Sequence, residues 1–268
     1  MTNLHTAAKR CLDCADPAEK CRLTQAAWQD VLQGVLEADP AAVAPEPIGV
    51  PGRPARPNLV APRNLPRRSL ASAEGRAALV HAVAHIEFNA INLAWDAVYR
   101  FRGMPADFYR DWAAVAHDEA RHFTLVSRRL ADMDVAYGDF DAHNGLWEMA
   151  EKTAHDDTAR MALVPRVLEA RGLDVTPGMI ERFRGAGDAA TVAVLEVILR
   201  EEVAHVEAGT RWFHWCCARD GVAPEPTFRE LLATYMKGKP RGPFNLDARR
   251  RAGFADSELA WLQSDSPA

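Results

Sequence analysis

Asp118-Glu119-Ala120-Arg121-His122 and Glu201-Glu202-Val203-Ala204-His205 carry one Glu-x-x-His tetrad twice, 83 residues apart, each with a further acid just before its glutamate. Positions i and i+3 of a helix lie on one face, so each glutamate can share a direction with its histidine. Upstream of each tetrad stands another glutamate. Glu87 precedes Glu119 by 32 residues and Glu169 precedes Glu202 by 33. The order Glu, Glu-x-x-His, Glu, Glu-x-x-His is the ligand order of a dinuclear carboxylate site built from four helices. The competing reading is a pair of ordinary surface ion-pair faces. The matched spacings and flanking acids weigh against it.

The helix faces agree with burial. Glu87 shares its stripe with Val80, Val83, Ala84, Ala90, Ile91, Ala94 and Val98. Glu119 lies near Trp112, Val115, Ala116 and Val126, and Glu202 between Leu195, Ile198, Val206 and Gly209. A carboxylate inside such a stripe is costly to bury unless it is paired or binds a cation. Glu169 sits with Thr158, Ala162 and Pro165. Proline four residues before Glu169 predicts a kink there.

Four carboxylates and two divalent cations cancel in charge. Oxygen ligands with one imidazole per metal suit iron or manganese better than copper, and zinc is a weaker fit without a thiolate. The expected ligands are therefore Glu87, Glu119, His122, Glu169, Glu202 and His205, holding two Fe ions (Mn or mixed Mn/Fe as alternatives) on the order of 3.5–4 Å apart. Asp118 and Glu201 are expected to orient a histidine on the facing helix.

The rest of the chain divides into three zones. Residues 1–70 read as one helix over 23–36 followed by a proline-rich arm over 40–66, which its apolar residues Ile48, Val50, Leu59 and Val60 should lay along the main domain. Residues 71–221 read as four long helices over 72–102, 106–133, 146–171 and 188–219, with a short helix over 177–184 capped by Thr176. Glycine and proline at 103, 105, 172, 221 and 224 punctuate them. Residues 222–268 read as one more helix, started by the capping box Thr227-x-x-Glu230, and a basic tail over 237–251.

Net charge is −5, which gives no general nucleic-acid signal. No run approaches a membrane span and the N-terminus lacks a signal-peptide core, so no membrane partner is expected. Five cysteines, three of them Cys11, Cys14 and Cys21, suit a reduced cytoplasmic setting. That trio lacks a fourth ligand and reads as ordinary thiols. Other groups read as bland. His81 and His85 point away from Glu87 on the wheel, and His155 lies too far from Glu169 to ligate with it. Glu196 and Glu207 are solvated, Trp212, Phe213 and Trp215 belong to a core, and Arg249 to Arg251 form a solvated tail or an intramolecular clasp.

The two tetrads resemble the paired motifs of the ferritin-like superfamily. More narrowly, His81-Ala-Val-Ala-His85-Ile-Glu87, Ala154-His155-Asp156, Leu168-Glu169-Ala-Arg-Gly-Leu-Asp174 and Gly242-Pro-Phe-Asn245 resemble bacterial ferritin-like proteins grouped as domain of unknown function 455. The likeness runs from about Arg53 to the C-terminus. It implies an all-α fold: an antiparallel ferritin-like four-helix bundle with an N-terminal extended arm and a C-terminal helical extension. It also implies a di-metal oxidoreductase that activates dioxygen or peroxide, with a small-molecule substrate and an external electron donor as partners. The superfamily includes ferroxidases, and a tRNA hydroxylase keeps a tRNA substrate open.

Overall fold

The computed structural model describes residues 3–39, 43–66, 69–236 and 238–264. The chain is all-helical, its one β-type contact among the described residues being an isolated parallel bridge between Leu59 and Ala142. It divides into two compact units, Met1–Trp147 and Glu148–Ala268.

The first unit is built on α3 (Ala73–Arg100) and α4 (Ala106–Ala131), which pack along one another. The Ser72 side chain caps α3 by accepting from Gly75 N. Phe101 turns to extended backbone, and Gly103, at φ 75°, and Pro105 complete the corner, as the sequence suggests. The helix is long and apolar enough to pass as a membrane span by length and composition, contrary to expectation, but 83% of that window is buried inside the protein. Its apolar surface is taken up by packing.

Two further helices cover this pair. α1 (Leu4–Asp13) lies on α3, and α2 (Pro17–Leu32) lies on α4. Only the second was expected, and it starts at Pro17 rather than 23. Asp16 accepts from Glu19 N while Pro17 takes the first turn, where a missing N–H costs nothing. Gly34, at φ 68°, ends the turn that follows. Lys20 Nζ, fully buried, donates to Cys11 O at 2.6 Å, Leu12 O at 3.1 Å and Asn92 Oδ1 at 2.6 Å, tying the end of α1 to α3.

Pro40, the first residue of the proline-rich arm, lies outside the described residues. The described part of that arm runs along this unit through backbone bonds. Glu46 N donates to the Tyr99 hydroxyl at 2.9 Å, Gly52 N to Leu12 O at 2.7 Å, and Val60 N to Ala142 O at 2.8 Å. Gly52 is required there, because a Cβ would stand 2.3 Å from Asp13 O.

In the second unit α6 (Asp157–Leu163), a π-helical segment (Val164–Glu169) and α7 (Ala170–Gly185) form one helical arm packed on α8 (Ala189–Asp220). The expected helix over 146–171 is thus corrected. α5 (Gly145–Lys152) ends early, and Asp156 restarts the chain by accepting from Ala159 N. At Pro165 the helix widens into the π segment. Gly209 of α8 makes room for it, since a Cβ there would meet Pro165 Cβ and Cγ at 2.3 Å.

Nor does the arm stop at Gly172. It runs through Pro177 to Gly185, absorbing the separate helix expected at 177–184. Pro177 has no N–H to offer the carbonyl of Leu173. Asn245 Nδ2 donates to that oxygen instead, at 3.2 Å, from 72 residues away. The bounds of α8 agree with expectation: Asp188 caps it by accepting from Thr191 N, and Gly221 ends it in the left-handed conformation.

α9 (Pro224–Tyr235) begins at Pro224, so the expected start at Thr227 falls inside the first turn. Lys237, at the start of the basic tail, lies outside the described residues. The tail itself holds two helices that were not expected, α10 (Leu246–Arg251) and α11 (Asp256–Gln263). They bury Ala248, Ala252, Phe254, Leu259 and Leu262 against Ala170, Leu173 and Val206. Arg249 is no solvated tail residue: it forms the clasp, donating through Nε and Nη2 to the two Asp174 oxygens at 2.9 and 2.7 Å.

Candidate metal centre

In the first unit α3 supplies Glu87 and α4 supplies Glu119 and His122. All three are buried, at 4%, 1% and 0% exposure. His122 Nδ1 stands 3.3 Å from Glu87 Oε2 and 3.6 Å from Glu119 Oε2, and the ligand atoms of the three lie within 4.8 Å of one another. A neutral imidazole nitrogen and carboxylate oxygens are all lone-pair groups, so a proton or a cation must stand between them to make the approach favourable. This triad can hold a metal ion.

Phe88 and Phe123, each next in sequence to a triad residue, pack at 5.5 Å, and Tyr137 meets both at 5.5 and 5.1 Å. His81 and His85 have the packing role expected of them. His81 Nε2 accepts from Gly138 N at 2.8 Å, and His85 lies 2.9 Å from the Tyr137 hydroxyl and 3.1 Å from His143 O. Burial pushes the His85 pKa down to about 4, so the ring is neutral. Together they pin the loop after α4 to α3.

In the second unit His205 Nδ1 stands 3.4 Å from Glu202 Oε1, one turn apart on α8. Both are buried, at 2% and 9% exposure. Glu169, also 9% exposed, is the last residue of the π segment, and that segment packs on α8. Glu202 and His205 offer one carboxylate and one imidazole through Nδ1, as Glu119 and His122 do. Buried carboxylates with so little solvent are costly unless countered by positive charge.

The flanking acids are less enclosed. Asp118 pairs with Arg121 of its own helix at 3.3 Å and Glu201 with Arg200 at 3.2 Å, with side chains 36% and 24% exposed. His155, in the turn between α5 and α6, lies 3.3 Å from the Tyr235 hydroxyl. Glu196 is exposed and bound to Arg184, and Glu207 binds Arg211. Cys11, Cys14 and Cys21 are free thiols, and burial raises Cys11 and Cys21 to about 11. Two residues were not anticipated, Arg166, three before Glu169 in the π segment, and Glu258, which pair at 2.6 Å. Pro165 flags that stretch of sequence, but nothing local points from Arg166 to a partner 92 residues on.

These observations define the class: an all-helical protein in which two buried Glu-x-x-His turns each accompany an upstream buried glutamate. The chain belongs to the family described as "Protein of unknown function (DUF455)", which matches residues 13–260. It is similar to an uncharacterized protein of Haemophilus influenzae, 46% identical over 262 residues that cover 94% of this chain and 90% of that one. No solved structure matches it.

Proposed function

We propose that the protein is a ferritin-like four-helix-bundle protein whose two Glu/Glu-x-x-His sets hold two iron ions, with manganese or a mixed pair as the alternative, making it an oxidoreductase that acts on an organic substrate with dioxygen or peroxide. The observation that carries this reading is the duplicated buried donor set. Glu119 and His122, like Glu202 and His205, present a carboxylate and an Nδ1 from one helical turn, and a buried glutamate, Glu87 or Glu169, stands on the helical element packed against each.

Bound there, two redox-active metals supply the electrons and Lewis acidity that oxygen activation needs. The chain's own residues do the rest. Glu87, Glu119, Glu169 and Glu202 would hold the metals with His122 and His205, their four negative charges balancing two divalent cations. The near-complete burial of Glu87, Glu119 and His122 keeps water from that set, which would protect reactive species from solvent. Asp118 and Glu201 would orient the histidines.

The test is anaerobic loading of the full chain with Fe(II), quantitation of bound iron, and an optical spectrum before and after air. Two irons per chain and oxygen consumption support the reading. Ferric iron as the sole product of turnover would make the protein an iron-oxidising one instead. Failure to bind metal would leave a scaffold with buried acids.

A further inference from the structure

Arg166 is buried completely, three residues before Glu169 in the π segment. Its guanidinium stands 4.7, 4.5 and 4.6 Å from the ring centroids of Phe213, Phe228 and Phe254. Nη2 donates to Glu258 Oε1 at 2.6 Å, and Nε donates to Thr210 Oγ1 at 3.4 Å. Glu258 is itself 3% exposed, and its other oxygen accepts from Ala255 N at 3.1 Å, fixing the start of α11.

A buried ion pair is poor evidence of stability, because apolar residues of the same volume hold a core as well or better. What such a pair does supply is direction. A charge-assisted bond and three ring faces fix the guanidinium in orientation as well as in place. The element so fixed is the one that most needs it. A π turn carries an extra residue, so its side chains fall out of helical register, and Glu169 is aimed only as well as the turn is held. Pro165 against Gly209 holds one side of the turn. Arg166 holds the other, and its anchor comes from the last helix of the chain.

We propose that the Arg166–Glu258 pair is a positioning device for Glu169, so that the C-terminal helix α11 belongs to the working structure of the second metal site. The proposal rests on the reading of Glu169 as a ligand. It assigns Glu258 a role through Arg166 and none in contact with the metal.

The experiment is anaerobic titration of the full-length protein with Co(II), followed by ligand-field absorption. Wild type should take up two ions. Glu258→Ala should bind one ion as wild type does and the second about 10- to 100-fold more weakly, with an altered spectrum for that ion alone. Glu258→Gln, which keeps an oxygen for Arg166, should recover part of the loss. Far-UV circular dichroism and a cooperative melt show whether each variant is folded. If Glu258→Ala fails to fold, Glu258→Gln decides by the same criterion, with a weakened second ion and an unchanged first. Two ions bound with wild-type affinity in the folded variants would overturn the proposal, as would equal weakening of both ions, which is what general loss of stability produces. If wild type itself binds no Co(II), the dinuclear reading falls and this proposal with it. Loss of the effect in the variants alone removes only the clasp.

Discussion

The first unit presents Glu87 from an unbroken helix of 28 residues, whereas the second presents Glu169 from a helical arm interrupted by a π segment. The donor sets are the same and their supports are not. Glu87 is placed by repetition: regular turns, an apolar stripe and aromatic neighbours in adjacent sequence positions. Glu169 is placed by exceptions. A proline widens the turn, a glycine admits the proline, and an arginine is gripped by residues far along the chain. Regular geometry needs little outside help, whereas irregular geometry persists only where its surroundings over-determine it. The placement of Glu169 should therefore be the more sensitive to remote change.

The largest effect should come from removing residues 239–268. That deletion uncovers Ala170, Leu173 and Val206 and strips Asp174 and Arg166 of their buried partners, losses of several kcal/mol each at the charged positions. The second unit should lose its cooperative melt while the first keeps its helical signal. Unchanged turnover by a stable truncated protein would show that the tail has no role in the site and would break the comparison. Next come the ligands. Glu119→Ala and His205→Ala should each lower bound iron sharply, and His85→Ala should largely retain it. Mass-spectrometric metal content equal in all three would contradict the assignment.

Gly209→Ala sets a methyl carbon 2.3 Å from Pro165. Overpacking of that kind costs about 1–3 kcal/mol, read from the urea midpoint, and metal loss should be confined to the second site. A small-to-large change on α3 of similar cost should leave both metals bound if regular helix is the sturdier support. The smallest effect expected is at Asp118→Asn, roughly a 10- to 100-fold fall in metal affinity or activity, measured by competition with a chelator. An unchanged affinity would assign Asp118 to its surface pair with Arg121 and nothing more.

The same contrast governs what could be read before the fold was known. Glu119 with His122 and Glu202 with His205 were legible because i and i+3 are neighbours in any helix. Asp188 and Gly221 marked the ends of α8 because caps act within a few residues. The helix that crosses Gly172 and Pro177 was not legible, since the carbonyl Pro177 leaves is served by Asn245. The grip on Arg166 was hidden for the same reason. The first helix, α1, was missed although its signal was present: Leu4, Ala7, Ala8, Cys11 and Leu12 stand at helical spacing and are buried, and Asn3 caps it by accepting from Thr6 N. Pro165 announced an irregularity but not its kind.

The burial of the thiols has a practical consequence. Cys11, Cys21, Cys216 and Cys217 are buried, and burial raises their pKa values to about 11, 11, 12 and 11, so thiolate is scarce near neutrality. Cys14, half-buried in the link between α1 and α2, is the accessible one of the five. A maleimide dye should therefore label the native chain at a single position, giving a fluorescent reporter on the first unit without engineering a cysteine.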